Sequence, residues 1–116
     1  MGHTRIFALQ SLLVRGDDVN ARTKAGRTVL MIAVKGGHSH IAEALVKQGA
    51  DLEQTDNGGR TALMWAARQG QQECVRLLLA RGSRLDVKDK WGRTAIQLAV
   101  EKGHREVAEM LRSAGG

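Results

Sequence analysis

Apolar side chains recur along this chain at two intervals, a short helical one and a long one of 33 residues. Leu30, Ala33, Ile41 and Leu45 return one interval later as Leu63, Ala66, Cys74 and Leu78, and again as Ile96, Ala99, Val107 and Leu111. Inside each interval the pattern marks the apolar stripe of one helix, a glycine, and then the stripe of a second helix. The first helix is predicted over 28–35, 61–69 and 94–102, with Thr28, Thr61 and Thr94 as competent N-caps. Gly37, Gly70 and Gly103 break it. The second is predicted over 39–48, 72–81 and 105–113, with Gly49, Gly82 and Gly115 placed to end it as left-handed residues. The triplets Gly26-Arg27-Thr28, Gly59-Arg60-Thr61 and Gly92-Arg93-Thr94 keep the same register. Such a repeat makes a stacked all-α array, because no single unit can cover its own apolar face.

The repeating segments resemble the ankyrin repeat over nearly the whole chain. Val19-Asn20-Ala21 is similar to that family's Val-Asn-Ala strand, residues 61–67 (Thr-Ala-Leu-Met-Trp-Ala-Ala) to its Thr-Pro-Leu-His-x-Ala-Ala, and Gln48-Gly49-Ala50-Asp51 to its x-Gly-Ala-Asp. The resemblance implies a solenoid of antiparallel helix pairs joined by projecting β-hairpin loops, here 19–27, 52–60 and 85–93. It also implies one domain over 1–116, with an N-terminal half-repeat at 4–18 and repeats near 19–51, 52–84 and 85–116. The family's proline is replaced by Val29, Ala62 and Ala95. Its histidine is replaced by Met31, Met64 and Gln97, which removes the usual threonine-to-histidine bond, and the two losses together are expected to loosen the turn, since proline pre-sets φ at the first helical position.

At the N-terminus Phe7, Leu9, Leu12, Leu13 and Gly16 fall in register with a second helix, either as a cap or as the cut edge of a longer array. An exposed edge at Ile6 and Leu9 is expected to leave a monomer or a weak self-associating species. Arg112 stands where Val46 and Leu79 stand in the preceding units, which suits a C-terminal cap.

Chemistry is sparse. Catalysis needs a nucleophile or acid with a base in one concave site, and the repeat register supplies none, so a non-catalytic protein without cofactor or metal is expected. Asp17, Asp18, Asp51, Asp86 and Asp89 sit where carboxylates fill turns. His38 and His104 occupy the Gly-His turn of the family, and His40 is too close in sequence to His38 to share a helix face with it. Asn20 matches an asparagine hydroxylated in some ankyrin proteins, but a hydrogen bonder in the turn is the simpler role. The single cysteine, Cys74, lies on the buried stripe, and a packed thiol points to a reducing compartment, cytoplasm or nucleus. No stretch has the apolar length of a membrane span.

Charge changes the picture more. Lysine and arginine number 18 against 12 acids, a formal net charge of +6, and the isoelectric point is near 10.3. The resemblance places partner contacts on hairpin tips and the concave face of the first helices. The residues there are Arg22, Lys24, Arg27, Lys35, Asn57, Arg60, Arg68, Gln69, Lys88, Lys90, Trp91, Arg93 and Lys102. Arg27, Arg60 and Arg93 form a ladder. At a stacking distance of about 10 Å, two solvated arginines repel by only about 0.4 kcal/mol, so a family-typical solvated ladder is the plain alternative to a binding one. Trp91 replaces Ala25 and Gly58 at a tip without a core and is a candidate contact, while Trp65 replaces Ile32 and Leu98 and is expected to pack between repeats.

The expectation is a protein-protein interaction module for a partner with an acidic patch or peptide. A binder of nucleic acid or a phosphorylated ligand is the second reading, weakened by the scarcity of aromatics for stacking. A structural or engineered scaffold is the third.

Overall fold

The computed structural model of the chain describes residues 19–115. Six helices follow one another there: α1 Val29–Lys35, α2 Ser39–Lys47, α3 Ala62–Gln69, α4 Gln72–Ala80, α5 Ala95–Glu101 and α6 Arg105–Gly115. Each pair, α1 with α2, α3 with α4 and α5 with α6, is one unit of the 33-residue period. The first helices pack on one another in an inner layer, α1 on α3 and α3 on α5, and the second helices form an outer layer in the same order.

Threonine starts every inner helix. The hydroxyls of Thr28, Thr61 and Thr94 accept the N–H groups of Met31, Met64 and Gln97 at 3.2, 3.3 and 3.4 Å. A cap of this kind stabilises by about 1 kcal/mol. In two of the three repeats the residue in place of histidine takes over its bond to the threonine N–H. Gln97 Oε1 accepts from the Thr94 N–H at 2.9 Å, and Met64 Sδ takes the same role at 3.5 Å from the Thr61 N–H. The donor that histidine would satisfy is therefore bonded in both of the later repeats.

The predicted stripes form the core. Leu30, Leu45, Leu63, Leu78, Leu98 and Leu111 are all fully buried, and Ala33, Ala66 and Ala99 let the inner helices approach closely. Ile96 is the exception among the stripe positions, being only partly buried in the last unit. Cys74 is buried as well. Burial, with a smaller push from the adjacent Glu73 carboxylate, raises its pKa to about 11, so the sulfur is a packed thiol rather than a nucleophile.

The hairpins are tight turns rather than strands. Among the described residues the one β-type pairing outside helices is a single antiparallel bridge between Arg22 and Thr28. Each tip is closed by a glycine N–H, from Gly26 to Thr23, Gly59 to Asp56 and Gly92 to Asp89, all at 2.9 Å. Gly59 has φ of 77°, and a Cβ there would lie 3.0 Å from the Lys90 nitrogen of the next hairpin. Glycine thus permits both the turn and the stacking of tip on tip. Successive tips are tied by backbone bonds, Asn57 N–H to Ala25 O at 2.9 Å and Lys90 N–H to Gly58 O at 2.8 Å.

Asn20 belongs to a second set of ties. Its Oδ1 accepts the Asp51 N–H at 2.7 Å, and Glu53, one period later, accepts the Arg84 N–H at 3.2 Å. Gly49 and Gly82 take left-handed φ as expected, letting Ala50 and Ser83 donate back to Leu45 and Leu78 at 3.0 and 3.1 Å. Gly115 does not. Its backbone stays within α6. The N-terminal half-repeat, with Ile6, Phe7, Leu9, Leu12, Leu13 and Gly16, and the acids Asp17 and Asp18 lie outside the described residues. Arg112 is exposed and pairs with Glu109 at 3.2 Å.

Leu78 is fully buried on α4, which packs against both α2 and α6, so Leu78→Ala is expected to cost about 2 to 5 kcal/mol in equilibrium denaturation. Arg112→Ala is expected to change stability by less than about 0.5 kcal/mol. Equal denaturation midpoints for the two variants would contradict this register.

Candidate functional site

The charged surface is organised by two carboxylates inside the hairpin tips. Asp56 and Asp89 occupy the same repeat position and are both buried. Oδ1 of Asp56 accepts the N–H groups of Gly58 and Arg60 at 2.9 and 3.0 Å, and Oδ1 of Asp89 accepts those of Trp91 and Arg93, both at 2.9 Å. Thr23 has this position in the first hairpin, where its hydroxyl accepts the Arg27 N–H at 3.3 Å. Each of these side chains stabilises its own turn by satisfying donors the turn leaves free.

The second carboxylate oxygen is used differently in the two tips. Oδ2 of Asp89 accepts Nε–H groups from Arg60 at 3.4 Å and Arg93 at 3.2 Å. Oδ2 of Asp56 instead accepts the indole Nε1–H of Trp65 at 2.8 Å. Arg27 stands to Asp56 as Arg60 stands to Asp89, one period earlier, yet it makes no such bond. Its Nε is buried and without a hydrogen-bond partner. A tryptophan where the other repeats carry Ile32 and Leu98 has taken the acceptor that the register would give to arginine.

The ladder is therefore not a row of solvated arginines. The Arg60 side chain is only 13% exposed and bridges two repeats through Asp89, while Arg93 also pairs with Glu101 at 2.8 Å. Burial opposes ionisation of Asp89 and is the largest single influence on it. The N–H groups of Arg93 and Trp91, with the Arg93 and Arg60 guanidinium groups, together outweigh burial and hold its carboxyl below the ordinary carboxylate value.

Cations gather on both indoles. Around Trp65 stand Arg27, Lys35, Arg60 and Arg68, with charged centres 4.9, 5.0, 5.2 and 5.6 Å from the ring centroid. Around Trp91 stand Arg60, Arg93 and Lys90 at 5.3, 5.5 and 5.8 Å. Arg60 lies beside both rings and makes the two groups continuous. Such contacts are each worth about 0.5 to 2 kcal/mol, depending on how far the cation is desolvated. The rings differ in access: Trp65 is 4% exposed and packs as expected, whereas Trp91 is 62% exposed.

Other predicted site residues serve the scaffold or stand apart. The Arg22 guanidinium reaches across to Thr55 O at 2.6 Å and to Gly26 O at 3.1 Å. Asn57 Nδ2 donates to Lys24 O at 3.0 Å, so this amide ties the first tip to the second. Lys24, Lys88 and Lys102 are exposed and Gln69 is half-buried, and none joins either aromatic cluster. Asp56 was not singled out from the sequence. Its repeat relation to Asp89 was the available signal. Of the remaining acids, Asp51 accepts the Glu53 N–H at 2.9 Å and Asp86 pairs with Arg84 at 3.2 Å. Gly70 lies tightly against the ring of His104. Among the described residues no group of three or more His, Cys, Asp or Glu side chains is placed to hold a metal, and no helix is long and apolar enough to cross a membrane.

Comparison with protein families matches residues 3–89 to Ankyrin repeats (3 copies) and residues 91–116 to Ankyrin repeat. The chain belongs to the ankyrin-repeat family. No curated protein sequence matches it. Ankyrin repeats are generally protein-protein interaction modules and typically non-catalytic.

Because Asp89 has a lowered pKa, the stability it contributes is present above the ordinary carboxylate pKa of about 3.9 and is lost as pH falls through its lower folded value. Asp89→Asn is expected to destabilise the domain by about 1 to 3 kcal/mol at pH 7 and to flatten the loss of stability below about pH 4. Denaturation midpoints measured from pH 7 to pH 2.5 test this. Parallel curves for the two proteins would contradict the role given to Asp89.

Proposed function

We propose that this ankyrin domain binds an acidic segment of another protein, with one apolar side chain of that segment seated against Trp91. What carries the reading is the accessibility of Trp91 among the cations Arg60, Arg93 and Lys90. A large indole exposed at a hairpin tip has no core to fill, and Arg60, Arg93 and Lys90 stand around it. Asp89 and Glu101 pair with the two arginines, while Lys90 has no ion pair among the described residues. A groove of about 540 Å³ runs from Trp91 along α5, past Ile96 and Val100, and offers apolar area next to the charge. Val100 is 54% exposed and is, with Trp91, one of the two large apolar side chains most open to solvent among the described residues. Tryptophan and arginine are the residues most enriched at binding hot spots.

A nucleic-acid partner draws support from the net charge of +6. The geometry favours it less. Sequence-tolerant binding of single strands needs successive open rings on which bases stack, and Trp65 is buried beneath its own cations. Salt separates the readings, since neutralising phosphates gives a steep fall of affinity with salt and an apolar-centred interface does not.

Proteins captured from cell extract on the immobilised chain provide partners for calorimetry and kinetics. For such a partner Trp91→Ala is expected to weaken binding by about 2 kcal/mol or more. Lys90→Ala and Lys35→Ala are expected to cost less and to act mainly on the association rate. Arg76→Ala, on the outer helix α4 and paired with Glu73, is expected to leave binding unchanged. Loss of binding with Arg76→Ala, together with a neutral Trp91→Ala, would overturn the proposal.

A further inference from the structure

Trp65 does more than fill the space between repeats. By taking Oδ2 of Asp56 it leaves Arg27 without the acceptor that Arg60 finds in Asp89, and the Arg27 Nε–H is shielded from solvent with nothing to donate to. Two further cations, Lys35 and Arg68, stand on the same ring, and neither forms an ion pair with an acid among the described residues. With Arg60, four charged centres thus lie within 5.6 Å of one centroid, while Asp56, the carboxylate bonded to that indole, already accepts two backbone N–H groups and the indole N–H.

We infer that Arg27, Lys35 and Arg68, arranged around Trp65, form a binding site for a phosphate monoester, specifically a phosphorylated serine or threonine side chain within the acidic segment of the partner. This rests on the proposed function and names the chemistry recognised at its second aromatic centre. Phosphate has the acceptors the cluster lacks: its oxygens are several, strongly charged at neutral pH and spaced to take paired arginine donors. A carboxylate offers fewer acceptor positions and less charge to three cations ranged around one ring. A nucleic-acid backbone carries phosphate too, but a diester has one charge rather than nearly two, and the buried Trp65 gives its bases no open face.

The test uses the full chain, labelled with ¹⁵N, and N-acetyl-O-phosphoserine amide as the probe at constant ionic strength. The Arg27 Nε–H and Trp65 Nε1–H resonances are expected to shift saturably while that of Trp91 Nε1–H does not. Arg27→Gln and Arg68→Gln are each expected to weaken the probe about tenfold or more, the usual loss for a bond to a charged group. Trp65→Leu restores the residue type of the other repeats and frees Asp56 for Arg27. It is expected to abolish probe binding while the fold, read from the remaining amide spectrum, persists. Shifts no larger than those from unphosphorylated N-acetylserine amide would overturn the site, as would unchanged probe affinity in Trp65→Leu. Oligothymidylate moving both indole resonances together, with affinity above that of the probe, would reassign the cations to nucleic acid and also overturn it. If protein partners bind through Trp91 but the probe leaves Arg27 unmoved, this inference fails and the proposed function stands. Saturable probe binding at Arg27 with no partner sensitive to Trp91 supports the anion site and removes the wider reading.

Discussion

A helix pair of this size cannot bury its own apolar stripe, and that constraint governs everything else in the domain. Each inner helix finds its cover in the inner helix of the next unit, so Leu30, Leu63 and Leu98 are buried only in the stack. The stacking distance then brings hairpin tips close enough for Asn57 to bond Ala25 and Lys90 to bond Gly58 through their backbones. Side chains of neighbouring tips meet as a result. Arg60 reaches Asp89 across a repeat boundary, and cations from two units converge on one indole. Neither aromatic cluster is contained in a single unit, so both are properties of the interfaces between repeats.

Within that frame the tips differ by single substitutions whose effects can be traced atom by atom. Aspartate in place of Thr23 supplies a second acceptor oxygen in the later tips. In the third tip that oxygen gathers two arginines. In the second it accepts the indole of Trp65, and the Arg27 Nε–H is left without a partner. Replacing a small tip residue by Trp91 adds apolar area with no core behind it. Two tryptophans, at different repeat positions and in different environments, thus present an accessible indole at one tip and a buried indole ringed by cations.

Much of the architecture was legible from periodicity alone. Helix starts at Thr28, Thr61 and Thr94 followed from capping chemistry, and the buried stripe followed from the 33-residue recurrence, because both are local or repeat-wide properties. The fate of the arginines was not legible. Whether Arg60 is solvated depends on an aspartate 29 residues away, and whether Arg27 finds a partner depends on an indole competing for one oxygen. Competition of that kind involves three side chains from two repeats, which no spacing rule resolves. Gln97 in place of histidine shows the same limit on a smaller scale: the residue type changed, yet its Oε1 still reaches the Thr94 N–H.

The account rests on charges being placed by inter-repeat stacking rather than by each hairpin separately. A double-mutant cycle on Arg60 and Asp89, which lie in successive repeats, measures this most directly through the denaturation free energies of Arg60→Gln, Asp89→Asn and the double variant. Coupling of about 1 kcal/mol or more is predicted, because the two groups share one buried bond. Free energies additive within about 0.3 to 0.5 kcal/mol would mean that the two residues act independently, and would contradict it.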